Sequence, residues 1–158
     1  MKLSIRDTFR LRAFSFAKIP MLFFAGPSVV SLTDDECVIA LPFQRRNKNH
    51  LGSMYFGALC IGADAAGGMI AARRLDQVKK GKGSLIFKDF QAKFFKRAEG
   101  KTLFTCRDGA MIRDAVRRAE ESLERVETPV RVVATVPDRF GDEPVAEFIL
   151  TLSLKVRR

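Results

Sequence analysis

From Met54 to Ala72 the chain runs MYFGALCIGADAAGGMIAA, apolar and small side chains with one charge, Asp64. A surface helix carries a polar stripe and this stretch has none, so as a helix it is buried nearly all round. Ser53 stands where an N-cap belongs, and Arg73 and Arg74 fall in the last turn, at the negative end of the helix dipole. Gly57, Gly62, Gly67 and Gly68 each weaken an isolated helix by ~1 kcal/mol relative to alanine. Something must therefore approach this helix closely, either another backbone or a ligand. Its length would span a membrane, but a mid-run aspartate and four glycines argue for a central helix wrapped by the rest of a domain.

The flanking patterns supply the wrapping. The first 26 residues are basic, with Phe and Leu at loosely helical intervals. They predict a helix or helix pair, broken near Pro20 and ended by Gly26-Pro27, packing over the domain. A targeting segment is also basic and acid-poor, but no A-x-A-like site follows and Asp7 interrupts the basic face. Val29 to Leu32 and Glu36 to Leu41 read as strands joined by Thr33-Asp34-Asp35, followed by a basic loop from Gln44 to His50. After the central helix comes another basic loop, Gln77 to Gly83, and a long strand, Ser84 to Ala98, with Ile86, Phe90, Ala92 and Phe94 on one face. Lys101 to Arg107 is a further strand.

Asp108-Gly109 opens a second helix extending to Glu127, with Ile112, Val116, Ala119, Leu123 and Val126 as its apolar stripe and a solvated charged face. Arg131 to Val136 and Ala146 to Val156 form a hairpin whose second strand turns Ala146, Phe148, Leu150, Leu152, Leu154 and Val156 inward. The economical assembly is α+β: one antiparallel sheet curled around the long helix, in a single domain over 1–158 with a helical segment at 1–28 and a core at 29–158. The sheet leaves edges, and pairing them across a dimer is a common way to cover them.

Composition narrows the partners. The 158 residues carry a net charge of +10, which suits an anionic partner: nucleic acid, a membrane surface, or a phosphate-bearing group such as coenzyme A. Nucleic acid ranks last, because base stacking needs exposed aromatics among Lys and Arg, and the 14 Phe fall mostly on faces expected to be buried. Cys37, Cys60 and Cys106 are odd in number, with no C-x-x-C, as in a reducing compartment such as the cytoplasm. His50 is the only histidine, so a multi-histidine metal centre is excluded and no metal is expected.

Asp64 is the candidate for chemistry. At helical spacing it shares a face with Gly57, Cys60, Ile61, Gly68 and Ala71, mostly small residues that leave room above the carboxylate. It suits either a general base or water-positioning group, or an aspartate hydrogen-bonded to backbone or to a symmetry mate. Cys60, one turn away, reads as core rather than nucleophile. Lys79, Lys80 and Lys82 form either a solvated turn or a phosphate contact at the mouth of a site.

With the helix placed, NHLGSMYFGALCIGADAAGG resembles the signature segment of hotdog-fold thioesterases, nearest the phenylacetyl-CoA thioesterase-like branch and adjacent uncharacterised hotdog families. FFKRAEGKTLFTC resembles the third and fourth strands of that fold, and the closing hairpin its last two. The likeness covers most of residues 29–156. It implies a sheet wrapped around a central helix, here with an N-terminal helix and an extra helix between strands 4 and 5. It implies an acyl-CoA or related acyl thioester as substrate, coenzyme A entering only as part of it, with no other cofactor. It implies a dimer or a dimer of dimers without stable membrane insertion.

Carried over, Asn49 takes the place of the family's asparagine, Gly57 of its second glycine and Asp64 of its acidic residue. The likeness implies that the Gly57 amide polarises the thioester carbonyl and that Asp64 of the opposite subunit acts on water, with Asn49 orienting water or carbonyl. The chain departs at Tyr55, where the family usually has histidine, and at Phe56, where it has its first glycine. Tyr55 could donate to the thioester, His50 could reach a ligand from the loop, and Tyr55 with Phe56 could instead close the site of a non-catalytic acyl-binding protein.

Overall fold

The computed structural model describes residues 3–78 and 81–157. Two helices open the chain, α1 (Ile5–Lys18) and α2 (Pro20–Ala25). Pro20 takes the first position of α2, where its missing N–H removes no helix bond, and Gly26 at φ 72° ends it in the left-handed region. The break and stop expected from Pro20 and Gly26-Pro27 are both present.

β1 (Ser28–Leu32) and β2 (Cys37–Leu41) form an antiparallel hairpin. Its turn is fixed by the Thr33 hydroxyl, which accepts from the amides of Asp35 and Glu36. A short 3-10 turn at Arg45–Asn47 leads to α3 (Phe56–Leu75), the apolar run. The remainder is β3 (Lys82–Phe94), β4 (Thr102–Cys106), α4 (Gly109–Ser122), β5 (Val126–Thr135), the single turn α5 (Pro137–Phe140) and β6 (Pro144–Arg157).

All six strands make one antiparallel sheet in the order β1-β2-β4-β5-β6-β3. α3 packs against every strand from β2 to β3, and α4 lays its apolar side on β5, β6 and α3. The inward residues of β6, from Ala146 through Val156 in alternation, are all buried. The fold is a hotdog: a sheet wrapped around one long helix.

The glycines of α3 show what approaches. A Cβ at Gly62 would lie 2.3 Å from a ring carbon of Phe104, and one at Gly68 3.2 Å from the Phe87 ring. Side chains of the sheet, not another backbone, fill the space these two leave. Arg73 and Arg74 at the end of α3 both bridge to Asp34 in the β1–β2 turn, at 2.5 and 2.6 Å.

Five expectations are corrected. The phenylalanines are not mostly buried: Phe9, Phe14, Phe16, Phe23, Phe24, Phe56, Phe90, Phe94 and Phe95 are exposed. The second helix stops at Ser122, with Leu123 at φ 60° as its cap, and Val126 already belongs to β5. β5 therefore begins five residues ahead of Arg131, and the stripe ends at Ala119. The long strand begins at Lys82 and ends at Phe94. A register shift between Phe87 and Asp89 then reverses its faces. Leu85 and Phe87 pair with inward Leu154 and Leu152, and Phe90, Ala92 and Phe94 with inward Leu150, Phe148 and Ala146. Ile86 falls opposite Ser153 on the outer face and is 55% exposed; an extra residue in a strand flips every side chain beyond it.

The two sheet edges differ. At β1, the Ser4 amide donates to the Val29 carbonyl and the Thr8 hydroxyl accepts from the Val29 amide, so α1 covers that edge. At β3, thirteen residues long, nothing among the described residues pairs with the outer edge. No described helix is long and apolar enough to cross a membrane.

Candidate active site

The N-terminus of α3 is built by the loop before it. The Asn47 side chain is buried and donates to the carbonyls of Ala25 and Pro42, while the backbone carbonyl of Asn47 accepts from the Tyr55 amide. This anchors the start of the helix to α2. The Asn49 Oδ1 accepts from the amides of Leu51 and Ser53, and its Nδ2 donates to Ser53 Oγ at 3.0 Å. Ser53, expected as the N-cap, is thereby drawn into the loop, two residues short of the position that caps the helix. Tyr55 is the N-cap, and it offers no side-chain bond to the helix.

The first intrahelical bond runs from the Leu59 amide to the Tyr55 carbonyl. The amides of Phe56, Gly57 and Ala58 are thus the free donors at the positive end of a twenty-residue helix. Tyr55 and Phe56, both exposed, meet edge to face with ring centroids 4.9 Å apart. The tyrosine ring leans over Gly57, where a Cβ would sit 2.5 Å from its Cε1. His50 is exposed in the turn between Asn49 and Leu51.

Asp64 lies seven residues further on, about 10 Å along the helix. It opens on a cavity of about 590 Å³ between α3, the N-terminal helices and β3. Leu11, Phe14, Leu22, Met69, Leu85 and Phe87 give this cavity a mainly apolar wall, and Gly68, one turn beyond Asp64, lines it too. Burial alone pushes the Asp64 carboxyl up to about 6, with no compensating charge or hydrogen bond. Of its predicted face, Gly68 shares the cavity, whereas Ala71 is buried in the core. Cys60 is half-buried, and burial raises its thiol, which keeps it protonated and a poor nucleophile.

Within one chain, then, Asn49, His50, Tyr55, Phe56 and Gly57 gather at one end of α3, with Asp64 two turns away. Lys82 is elsewhere: it opens β3, paired with Arg157, where the next residue, Gly83, packs on Leu75. Gly57 and Leu75 are about 27 Å apart along the helix. Lys79 and Lys80 lie outside the described residues. Among the described residues no cluster of three His, Cys, Asp or Glu could hold a metal ion. Asn47 and the cavity went unnoticed in the sequence. The repeat in Asn47-Lys48-Asn49 does not say which asparagine is buried, and the cavity depends on how α1 lands over α3.

Residues 9–153 match the family described as Domain of unknown function (DUF4442). The chain belongs to that family. No curated protein matches it. Among solved structures, it is similar to a protein of unknown function from Pseudomonas aeruginosa, described as a probable thioesterase, at 25% identity and a TM-score of 0.76 over 99% of each chain. A protein of unknown function from Chlorobaculum tepidum reaches a TM-score of 0.79 at 13% identity over 98% of each chain. A thioesterase from Haemophilus influenzae reaches 0.70 at 12%, over 99% of this chain and 93% of that one. This DUF4442 member thus has the fold of hotdog thioesterases, as the signature segment implied.

Proposed function

We propose that this DUF4442 chain is an acyl-thioester hydrolase that works as a homodimer, with acyl-CoA as the substrate class. The observation that carries the proposal is Asp64, a carboxyl without a partner among the described residues, raised to about 6 at the wall of a mainly apolar cavity. A base poised near neutral pH beside a pocket that accepts a hydrocarbon chain is what thioester hydrolysis requires.

The uncovered edge of β3 supplies the dimer. Pairing two such edges about a twofold axis sets the two α3 helices antiparallel and brings Gly57 of one protomer opposite Asp64 of the other. The thioester carbonyl oxygen takes the Gly57 N–H, Asp64 removes a proton from the attacking water, and the hydroxide adds to the carbonyl carbon. Collapse of the tetrahedral intermediate breaks the C–S bond and releases the thiolate. The thiolate takes up the proton from Asp64 directly or through solvent, so that acid and thiol leave and the carboxylate is restored. Asn49 shapes the loop that presents Gly57. Lys82 and its neighbours Lys79 and Lys80 suit the phosphates of coenzyme A, and the excess positive charge assists capture. The chemistry needs no cofactor beyond the coenzyme A of the substrate, and reduced thiols suit a cytoplasmic setting.

A second reading, binding without turnover, draws on the Tyr55 ring that leans over Gly57. Assay against an acyl-CoA panel, with Asp64→Ala in parallel, separates the two. The hydrolase account expects turnover that falls at least ~100-fold in a folded variant. Acyl-CoA binding with no turnover in either protein would favour the binding account.

A further inference from the structure

The outer face of the N-terminal helices is an exposed apolar surface that the site leaves unused. Ile5, Phe9 and Phe16 fall on one side of α1, and Met21, Phe23 and Phe24 continue it onto α2. All six are exposed, Phe9 at 73%, Phe16 at 69% and Met21 at 72%. The patch is continuous across the break at Pro20, because Phe16 and Phe23 meet edge to face at 5.1 Å. A hydrophobic face of this kind on a folded domain marks an interaction surface.

The charges around it are of one sign. From Thr8 to Thr33 there is no acidic residue. Arg6 and Lys18 are exposed on α1, while Arg10 lines the cavity on the other side, and the Arg46 guanidinium stands over the Phe24 ring at 5.8 Å. The one carboxylate of α1, Asp7, takes the Ser4 hydroxyl at 2.6 Å and turns into the cavity on the other side. A second copy seated on this face about a twofold axis would set cations against cations. An anionic bilayer satisfies both features at once, headgroups with the cations and the interfacial acyl region with the phenylalanines.

We infer that the outer face of α1 and α2 docks the protein peripherally on anionic phospholipid membranes, without spanning them. The inner face of the same helices, through Leu11, Phe14 and Leu22, lines the cavity that Asp64 faces. Docking thereby sets the wall of that cavity at the lipid surface. The inference is independent of whether the site hydrolyses thioesters.

Flotation of the full chain with extruded vesicles tests it, comparing phosphatidylcholine alone with a mixture of phosphatidylcholine and phosphatidylglycerol. The expected result is at least tenfold greater retention by the mixture, abolished by high salt. The double variant Phe16→Ser/Phe23→Ser is expected to lose that retention at least tenfold, with unchanged melting temperature, mass in solution and turnover of a soluble short-chain thioester. Equal retention by both vesicles, or retention unmoved in the folded variant, would overturn the inference. A variant that changes mass in solution would also overturn it, by assigning the face to a second copy.

Discussion

Gly57 and Asp64 stand seven residues apart on α3, and among the described residues neither the glycine amide nor the carboxylate has a partner. Ten ångströms along a helix is too far for one thioester carbonyl to touch both. In the proposed dimer an antiparallel pair of helices removes that separation.

The Asp64 carboxyl should be visible in two pH profiles of opposite sense. Its folded value of about 6 lies above the ordinary 3.8, so between those values the native state holds more protons than the unfolded chain. Stability should then fall as pH rises through this window, by about 3 kcal/mol if the full shift is expressed. Hydrolysis needs the ionised form and should rise through pH 6 on the acid limb of kcat/KM. Denaturant melts from pH 4 to 7 on wild type and Asp64→Asn check the first, the variant being flatter and more stable at pH 7. A pH–rate profile checks the second.

In the proposed hydrolase a larger residue at Gly68 would narrow the acyl pocket. A Cβ there would already lie 3.2 Å from the Phe87 ring and 3.5 Å from Leu85 at the cavity wall. Gly68→Val should lower kcat/KM for long acyl chains at least ~10-fold while leaving short ones within about threefold. A panel of acyl-CoAs of graded length provides the measurement, and an equal loss at all lengths would detach the cavity from the acyl chain.

Two glycines of α3 should respond to the same substitution with opposite signs. At Gly62 a methyl group would press on the fully buried Phe104 ring at 2.3 Å, whereas at Gly67 its nearest neighbour is Val130 at an ordinary 3.4 Å. Gly62→Ala should destabilise by about 1–3 kcal/mol through overpacking. Gly67→Ala should be neutral or stabilising, by up to about 1 kcal/mol, since alanine favours the helix. Thermal melts of the two variants decide it.

Much of this fold is written in periodicity. The apolar run of α3 and the strict alternation of β6 have one structural solution each, and Pro20 and Gly26 mark the boundaries of α2 by backbone chemistry alone. What escaped was set by single residues acting at a distance. The bulge near Lys88 turned Ile86 outward, and nothing local announces a one-residue insertion. The stripe of the second helix ran on in pattern through Leu123 and Val126, but the chain reverses at Leu123 to enter β5. Ser53 looked like a cap until the Asn49 side chain claimed it. Asp64 was legible as a lone charge in an apolar run, and its cavity was not, because α1 forms one wall from more than fifty positions away.

Complementation between subunits tests the shared site most directly. Asp64→Asn removes the base, and Gly57→Pro removes the amide donor in the first turn, where the lost N–H breaks no helix bond and the exposed Tyr55 ring must swing aside for the new side chain. Each homodimer should be inactive on acyl-CoA. Co-refolded in equal amounts, random pairing leaves one intact site in half of the dimers, so the mixture should recover about a quarter of the wild-type rate. Mixed dimers that form and remain inactive, or an Asp64→Asn homodimer that turns over at the wild-type rate, would contradict the account.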